Sequence, residues 1–158
     1  MLAKIKDSEA EELARRYPRR RSAVLPLLWL AQERDGYVTA EAIAGIADAL
    51  GLTTTEVRDV ASFYHMLHLE PVGEHIIELC TNLSCMLRGG EELFQYLQEK
   101  LGIGEGETTP DGKFSLFEAE CLGYCDVAPM MQINGVVYGN LTEEKVDEIL
   151  RSLGHEDA

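Results

Sequence analysis

Hydrophobic positions between residues 1 and 70 recur at helical spacing. SAVLPLLWLAQERDG is apolar nearly all round from Val24 to Leu30. That predicts a buried central helix ending near Gly36, with Pro26 in its first turn, where a missing N–H costs little. In TAEAIAGIADALG, Ile43, Ile46, Ala47 and Leu50 fall at i, i+3, i+4 and i+7, and Gly51 suits the position just past a helix end. Thr53 and Glu56 form a capping-box pattern ahead of VRDVASFYHML, which puts Val57, Val60, Ala61 and Tyr64 on one face. Pro71 and Gly73 interrupt the pattern. Residues 1–72 therefore read as an N-terminal helical bundle and residues 73–158 as a second domain.

From His75 onward the period changes. HIIELC is a short β-branched run, predicted as a strand ending at the first cysteine. EELFQYLQEKLG carries Leu93, Leu97 and Leu101 in helical register, and KFSLFEAEC alternates as a strand ending at the third cysteine. MMQINGVVYG turns at Asn134-Gly135, a strong hairpin signal. TEEKVDEILRSLG is a closing helix capped by Thr142, with Val146, Ile149, Leu150 and Leu153 inward. The order β-α-β-β-β-α, its first βαβ parallel and its hairpin antiparallel, is that of a thioredoxin-like domain. The fold class expected is α+β.

Charge narrows the function. The 158 residues carry a net charge of −14, which disfavours nucleic acid and anionic lipid as partners, since both are bound through Lys and Arg. No run approaches the ~20 apolar residues of a membrane span, and MLAKIKDSEA lacks a secretory signal's apolar core. A soluble intracellular protein without direct membrane insertion is expected. The basic residues cluster in RRYPRRR, where Arg15, Arg16, Arg19, Arg20 and Arg21 suggest a docking surface for an acidic partner or a helix-end feature.

Four cysteines occur, as Cys80-x4-Cys85 and Cys121-x3-Cys125, each pair where a strand runs out into a loop. If the two strands are parallel neighbours, both pairs leave the same end of the sheet and converge. An iron–sulfur cluster on four thiolates suits this placement best. Structural zinc prefers tighter spacers but is admitted by them, disulfides suit a reducing compartment poorly, and inert buried cysteines would be a coincidence of position. A dithiol oxidoreductase is disfavoured because no Cys-x-x-Cys opens the first helix. Gly89, Gly90 and Gly123 would let backbone approach a cluster, Pro129 sits where a cis proline would enter the hairpin, and Met130 and Met131 would shield the cluster or fill the core. GIGEGE follows a helix, so it is not a dinucleotide-binding loop. His65, His68, His75 and His155 form no metal-ligand spacing.

These residues resemble the 24 kDa, or E-type, family of respiratory complex I subunits, the complex being the NADH:quinone oxidoreductase. The resemblance runs from about Tyr17 to Leu153. It rests on RSAVLPLLWLAQERDGYVT, VRDVASFYHM, CTNLSCMLRGGEEL and ECLGYCDVAPMMQING. It implies a thioredoxin-like ferredoxin domain with one [2Fe–2S] cluster on Cys80, Cys85, Cys121 and Cys125. It further implies a 51 kDa, or F-type, partner subunit that carries FMN and the NADH site, within the peripheral arm of complex I on the cytoplasmic side of the inner membrane. The chain would transfer electrons, with no NADH oxidation of its own and no catalytic residue. The same module resembles the diaphorase subunit of NAD-linked hydrogenases and formate dehydrogenases. A zinc-stabilised interaction module is the alternative of another class.

Overall fold

The predicted stripes of the two halves close on separate cores. The computed structural model describes residues 7–155, and the chain divides into two compact units, residues 1–71 and 72–158. The first unit contains α1 (Asp7–Ala14), a 3-10 turn (Arg20–Ala23), α2 (Val24–Asp35), α3 (Ala40–Leu50) and α4 (Thr54–Phe63). Thr39 caps α3 by accepting the Ala42 N–H at 3.1 Å, and Gly51, at φ +69°, ends it. The capping box is complete: Glu56 N–H donates to Thr53 Oγ1 at 3.2 Å, and Thr53 N–H to Glu56 Oε2 at 3.0 Å.

The core of this unit gathers Leu27, Leu28, Ile46 and Val57. One expectation fails. Helix α2 is not buried all round, because Trp29 is 39% and Leu30 44% exposed while Val24, Leu27, Leu28 and Ala31 face inward. A helix against a single core has one inner stripe, whatever its outer residues are.

The basic run is drawn into the bundle. Arg20 donates to both carboxylate oxygens of Glu11, at 2.7 and 3.1 Å, and to the Ala49 carbonyl at 2.7 Å. Arg21 donates to Glu56 at 2.8 Å, and Arg16 lies 3.6 Å from Glu12. The bidentate bond from Arg20 holds the Glu11 carboxyl below its usual range. Two of the guanidiniums expected to face a partner thus join α1, α3 and α4 to the turn that bears them.

The second unit runs β1 (His75–Cys80), α5 (Leu83–Met86), α6 (Gly90–Leu101), β2 (Phe114–Ala119), β3 (Met130–Ile133), β4 (Val136–Gly139) and α7 (Glu143–Ser152). The sheet order is β2-β1-β3-β4. Strands β1 and β2 are parallel, with His75 opposite Phe114 and Cys80 opposite Ala119, whereas β1–β3 and β3–β4 are antiparallel. Asn134 (φ +49°) and Gly135 (φ +80°) make the tight turn of the hairpin. Ile77, Leu79, Phe114, Leu116, Met131 and Ile133 form one sheet face. Leu93, Leu97 and Leu101 of α6 and Val146, Ile149 and Leu150 of α7 pack on it. Tyr96 joins the two helices by donating to Asp147 at 2.7 Å.

Two local details depart from the expected pattern. Strand β2 ends at Ala119, so Cys121 lies two residues into the following loop. The segment after β1 is not plain loop either, since Asn82 accepts the Leu83 N–H at 2.8 Å and starts the one-turn helix α5.

Candidate metal centre

The parallel pair β1–β2 fixes the site. Cys80 is the last residue of β1 and Ala119, its register partner, the last of β2. The chain leaves both strands at the same sheet end, toward Cys85 on α5 and toward Cys121. A further 3-10 turn, Cys125–Val127, places the fourth cysteine, and the cis peptide Ala128–Pro129 leads from it into β3.

The two pairs sit in different surroundings. Cys80 and Cys85 are 4% and 2% exposed, whereas Cys121 and Cys125 are exposed. The buried pair belongs to a small apolar cluster with Ala128 and Met130, flanked by Leu122, Val127 and Val137. Burial pushes the Cys85 thiol up to about 11, reinforced by its hydrogen bond with Cys80 and by proximity to Cys125, while the Met130 backbone N–H directed at the sulfur opposes the shift. Cys85 therefore has neighbours from both pairs. All four thiols are free of disulfides.

The loops around them are pinned. Arg88 N–H donates to the Cys85 carbonyl at 3.0 Å, and Thr81 N–H to the Ala119 carbonyl at 3.2 Å, which carries the parallel ladder past the strand ends. Asn140 N–H donates to the Val127 carbonyl at 2.6 Å and Leu141 N–H to the Pro129 carbonyl at 3.0 Å, tying the second cysteine loop to the end of β4. The two methionines divide. Met130 lies with the cysteines and Met131 in the main core, both fully buried.

Sequence reasoning missed the outward side of the first loop. Leu83 (62% exposed), Met86 and Leu87 (73% exposed) surround Cys85 along the chain, and exposed Tyr124 precedes Cys125. The only signal was the apolar content of NLSCML, which a loop reading leaves without meaning. The histidines lie elsewhere. His75 and His155 pack against the Phe114 ring at centroid separations of 5.2 and 5.7 Å, and His68 is buried in the helical unit.

Among the described residues, no three His, Cys, Asp or Glu side chains gather so as to hold a single metal ion. A two-iron cluster makes a different demand, for two thiolates per iron with bridging sulfides between them. Two pairs leaving one sheet end supply the thiols for it in number and kind.

A family model described as thioredoxin-like [2Fe–2S] ferredoxin matches residues 10–154. The second E-type chain of NADH-quinone oxidoreductase from Rhizobium meliloti is 44% identical over 144 residues, covering 91% of this chain and 86% of that one. A second relative, subunit 2 of the NADH-quinone oxidoreductase of Thermus thermophilus, is also 44% identical, covering 90% and 81%. Among solved structures, an NAD+-reducing [NiFe]-hydrogenase in the air-oxidised state superposes with a TM-score of 0.73 at 25% identity, over 82% of this chain but only 22% of that one. The chain belongs to the thioredoxin-like [2Fe–2S] ferredoxin family, whose members carry one [2Fe–2S] cluster. The residues present fit that group on donor chemistry: four free thiols, two backed by an apolar cluster and two open to the surface.

Proposed function

We propose that this member of the thioredoxin-like [2Fe–2S] ferredoxin family is the electron-transfer subunit of an NADH:quinone oxidoreductase. Cys80, Cys85, Cys121 and Cys125 are its ligands. The observation that carries the reading is that both cysteine loops leave one end of the parallel β1–β2 pair, with Cys85 beside Cys80 and near Cys125. When bound, the cluster supplies one-electron chemistry. The chain's own residues set the conditions for it. Met130 directs a backbone N–H at the Cys85 sulfur and so favours its thiolate, while Ala128, Met130 and Val127 keep water from the inner side. The net charge of −14 opposes the addition of an electron and favours a low potential.

Electrons enter and leave by the outer side, where Cys121, Cys125 and Tyr124 are exposed and Leu83, Met86 and Leu87 offer apolar surface. We assign that side to the flavin- and NADH-binding F-type partner, in the peripheral arm of the complex on the cytoplasmic face of the membrane. No described helix is long and apolar enough to cross a membrane, so attachment there runs through the partner subunits. A second home, the diaphorase module of an NAD-linked hydrogenase, is favoured by the likeness to the hydrogenase chain. The 44% identity to the two NADH-quinone oxidoreductase chains favours the respiratory complex.

The test is iron and acid-labile sulfide analysis with visible absorption on protein prepared anaerobically. Two irons and two sulfides per chain are expected, and serine at any one of the four cysteines should remove most of both. One zinc per chain with no visible bands would refute the reading.

A further inference from the structure

We infer that Gly90 is a positioning residue for the buried ligand pair: its missing side chain is the space in which the backbones of Cys80 and Cys85 sit. Gly90 is the first residue of α6. A Cβ built on it would stand 2.9 Å from both the carbonyl carbon and the carbonyl oxygen of Cys85, and 3.1 Å from the carbonyl oxygen of Cys80. The two contacts to Cys85 are closer than real Cβ atoms come, and all three are to backbone, which cannot swing aside as a side-chain tip does. Of the three places where this unit allows no Cβ, at Gly73, Gly90 and Gly139, only Gly90 meets the cysteines themselves.

The neighbours decide which part must give. Cys80 is fixed in the sheet, since it ends β1 opposite Ala119 and the next N–H, of Thr81, donates to the Ala119 carbonyl. Helix α6 is fixed by Leu93, Leu97 and Leu101 in the main core. Cys85 sits on the four-residue helix α5, held by Asn82 and by the Arg88 N–H on its own carbonyl. That short turn is the softest of the three supports. A methyl group at residue 90 therefore displaces Cys85 relative to Cys80 and changes the grip of the pair. Gly89 beside it has a different role: it takes φ +89°, but a Cβ there would meet nothing closer than the Glu92 side chain at 3.8 Å.

The inference rests on the cluster reading above, and three glycine variants of the full chain separate the two. Gly73→Ala is the control, because its Cβ would approach the backbones of Lys113 and Phe114 to 2.8–2.9 Å near the start of β1, the end opposite Cys80. Gly89→Ala controls for strain at the same helix start. Each is reconstituted with iron and sulfide. Electron paramagnetic resonance of the reduced protein, the midpoint potential, cluster loss to a chelator and the melting temperature are then compared. Gly90→Ala is expected to fold, to shift the resonance g-values and the potential, and to lose its cluster roughly tenfold faster, as loss of support around metal ligands typically does. Gly73→Ala and Gly89→Ala should melt earlier with native g-values and potential. A Gly90→Ala chain with native signals and native chelator resistance overturns the inference. So does one that fails to fold, because Gly90 would then serve general packing, or one whose spectral changes the two controls share. Absence of a cluster from the unaltered chain instead defeats the functional reading.

Discussion

Cys80 stands directly opposite Ala119 in the parallel ladder, so Cys121 emerges only two residues beyond the partner of the first thiol. One register therefore brings both cysteine loops to the same sheet end. Burial then divides the four thiols, with Cys80 and Cys85 covered and Cys121 and Cys125 open.

The division should be visible in the cluster-free chain. Alkylation with a maleimide, followed by peptide mass spectrometry, should label Cys121 and Cys125 at least about tenfold faster than Cys80 and Cys85, because reaction at a buried thiol waits for local opening. Equal labelling of all four would mean that the apolar cluster around the inner pair does not persist without its cofactor.

The units carry separate cores, with every core residue of the first at or before Leu67 and every one of the second at or after Ile77. A fragment of residues 72–158 should accordingly fold and take up a cluster with a near-native absorption spectrum. A fragment that stays unfolded by circular dichroism would show the units to be one cooperative system.

Gly139 supports the second loop. A Cβ there would come within 2.5 Å of the Val127 side chain and 2.9 Å of its carbonyl oxygen, and Asn140 binds that same carbonyl. Gly139→Ala should cost about 1–3 kcal/mol in denaturant titrations, the usual range for overpacking. The loss should be only partly relieved by Val127→Ala, which removes the struck Cγ2 but leaves Cβ and the carbonyl oxygen in place.

Leu87 is 73% exposed yet two residues from Cys85. Leu87→Asp should leave folding and cluster content intact but weaken binding to the proposed flavin-bearing partner roughly tenfold, about 1.4 kcal/mol, if this side is the contact. Surface plasmon resonance against that partner reads the difference, and unchanged affinity would move the contact elsewhere. Reversing charge at Arg20 or Arg21 is a poorer probe of docking, because it breaks the bonds to Glu11 and Glu56 within the bundle.

The Tyr96 hydrogen bond holds the Asp147 carboxyl below its usual range, with Lys100 adding to the effect against partial desolvation. A carboxylate with a lowered folded-state pKa stabilises the fold above its unfolded pKa, and that stability is lost as pH falls through the folded value. The advantage of the unaltered chain over Tyr96→Phe should thus be full at neutral pH and fade below about pH 4. Melting temperatures taken from pH 7 to pH 2.5 would show it, and a constant difference would contradict the assignment.

Most of the architecture was legible because each long element carries its own signal. The stripe from Ile43 to Leu50, the box at Thr53 and Glu56 and the turn at Asn134-Gly135 are local statements, and the structure repeats them. What escaped depends on neighbours that no local pattern names. Trp29 and Leu30 look like core residues until the single core of the bundle leaves them outside. Arg20 and Arg21 look like free charge until Glu11, Ala49 and Glu56 come beside them. Helix α5 is one turn long, below the length at which periodicity can be read, and its cap at Asn82 resembles any polar loop residue. What the spacing and the strand ends did indicate is where the cysteines lie, in the loops that leave one end of the β1–β2 pair. The partition of Met130 to the thiols and Met131 to the main core follows from the alternation of β3, which only the register resolves.

Cys85 and Cys121 are separated by the whole of α6 and β2, so the order in which the chain leaves the ribosome matters. The first two thiols emerge early, but the sheet end from which both cysteine loops leave does not exist until β2 has joined β1. An iron atom delivered to the nascent chain would find only half a set of donors. On the four-thiolate reading proposed above, loading follows synthesis, on a domain whose sheet is already paired, with the exposed Cys121 and Cys125 as the entrance and the covered Cys80 and Cys85 as the floor.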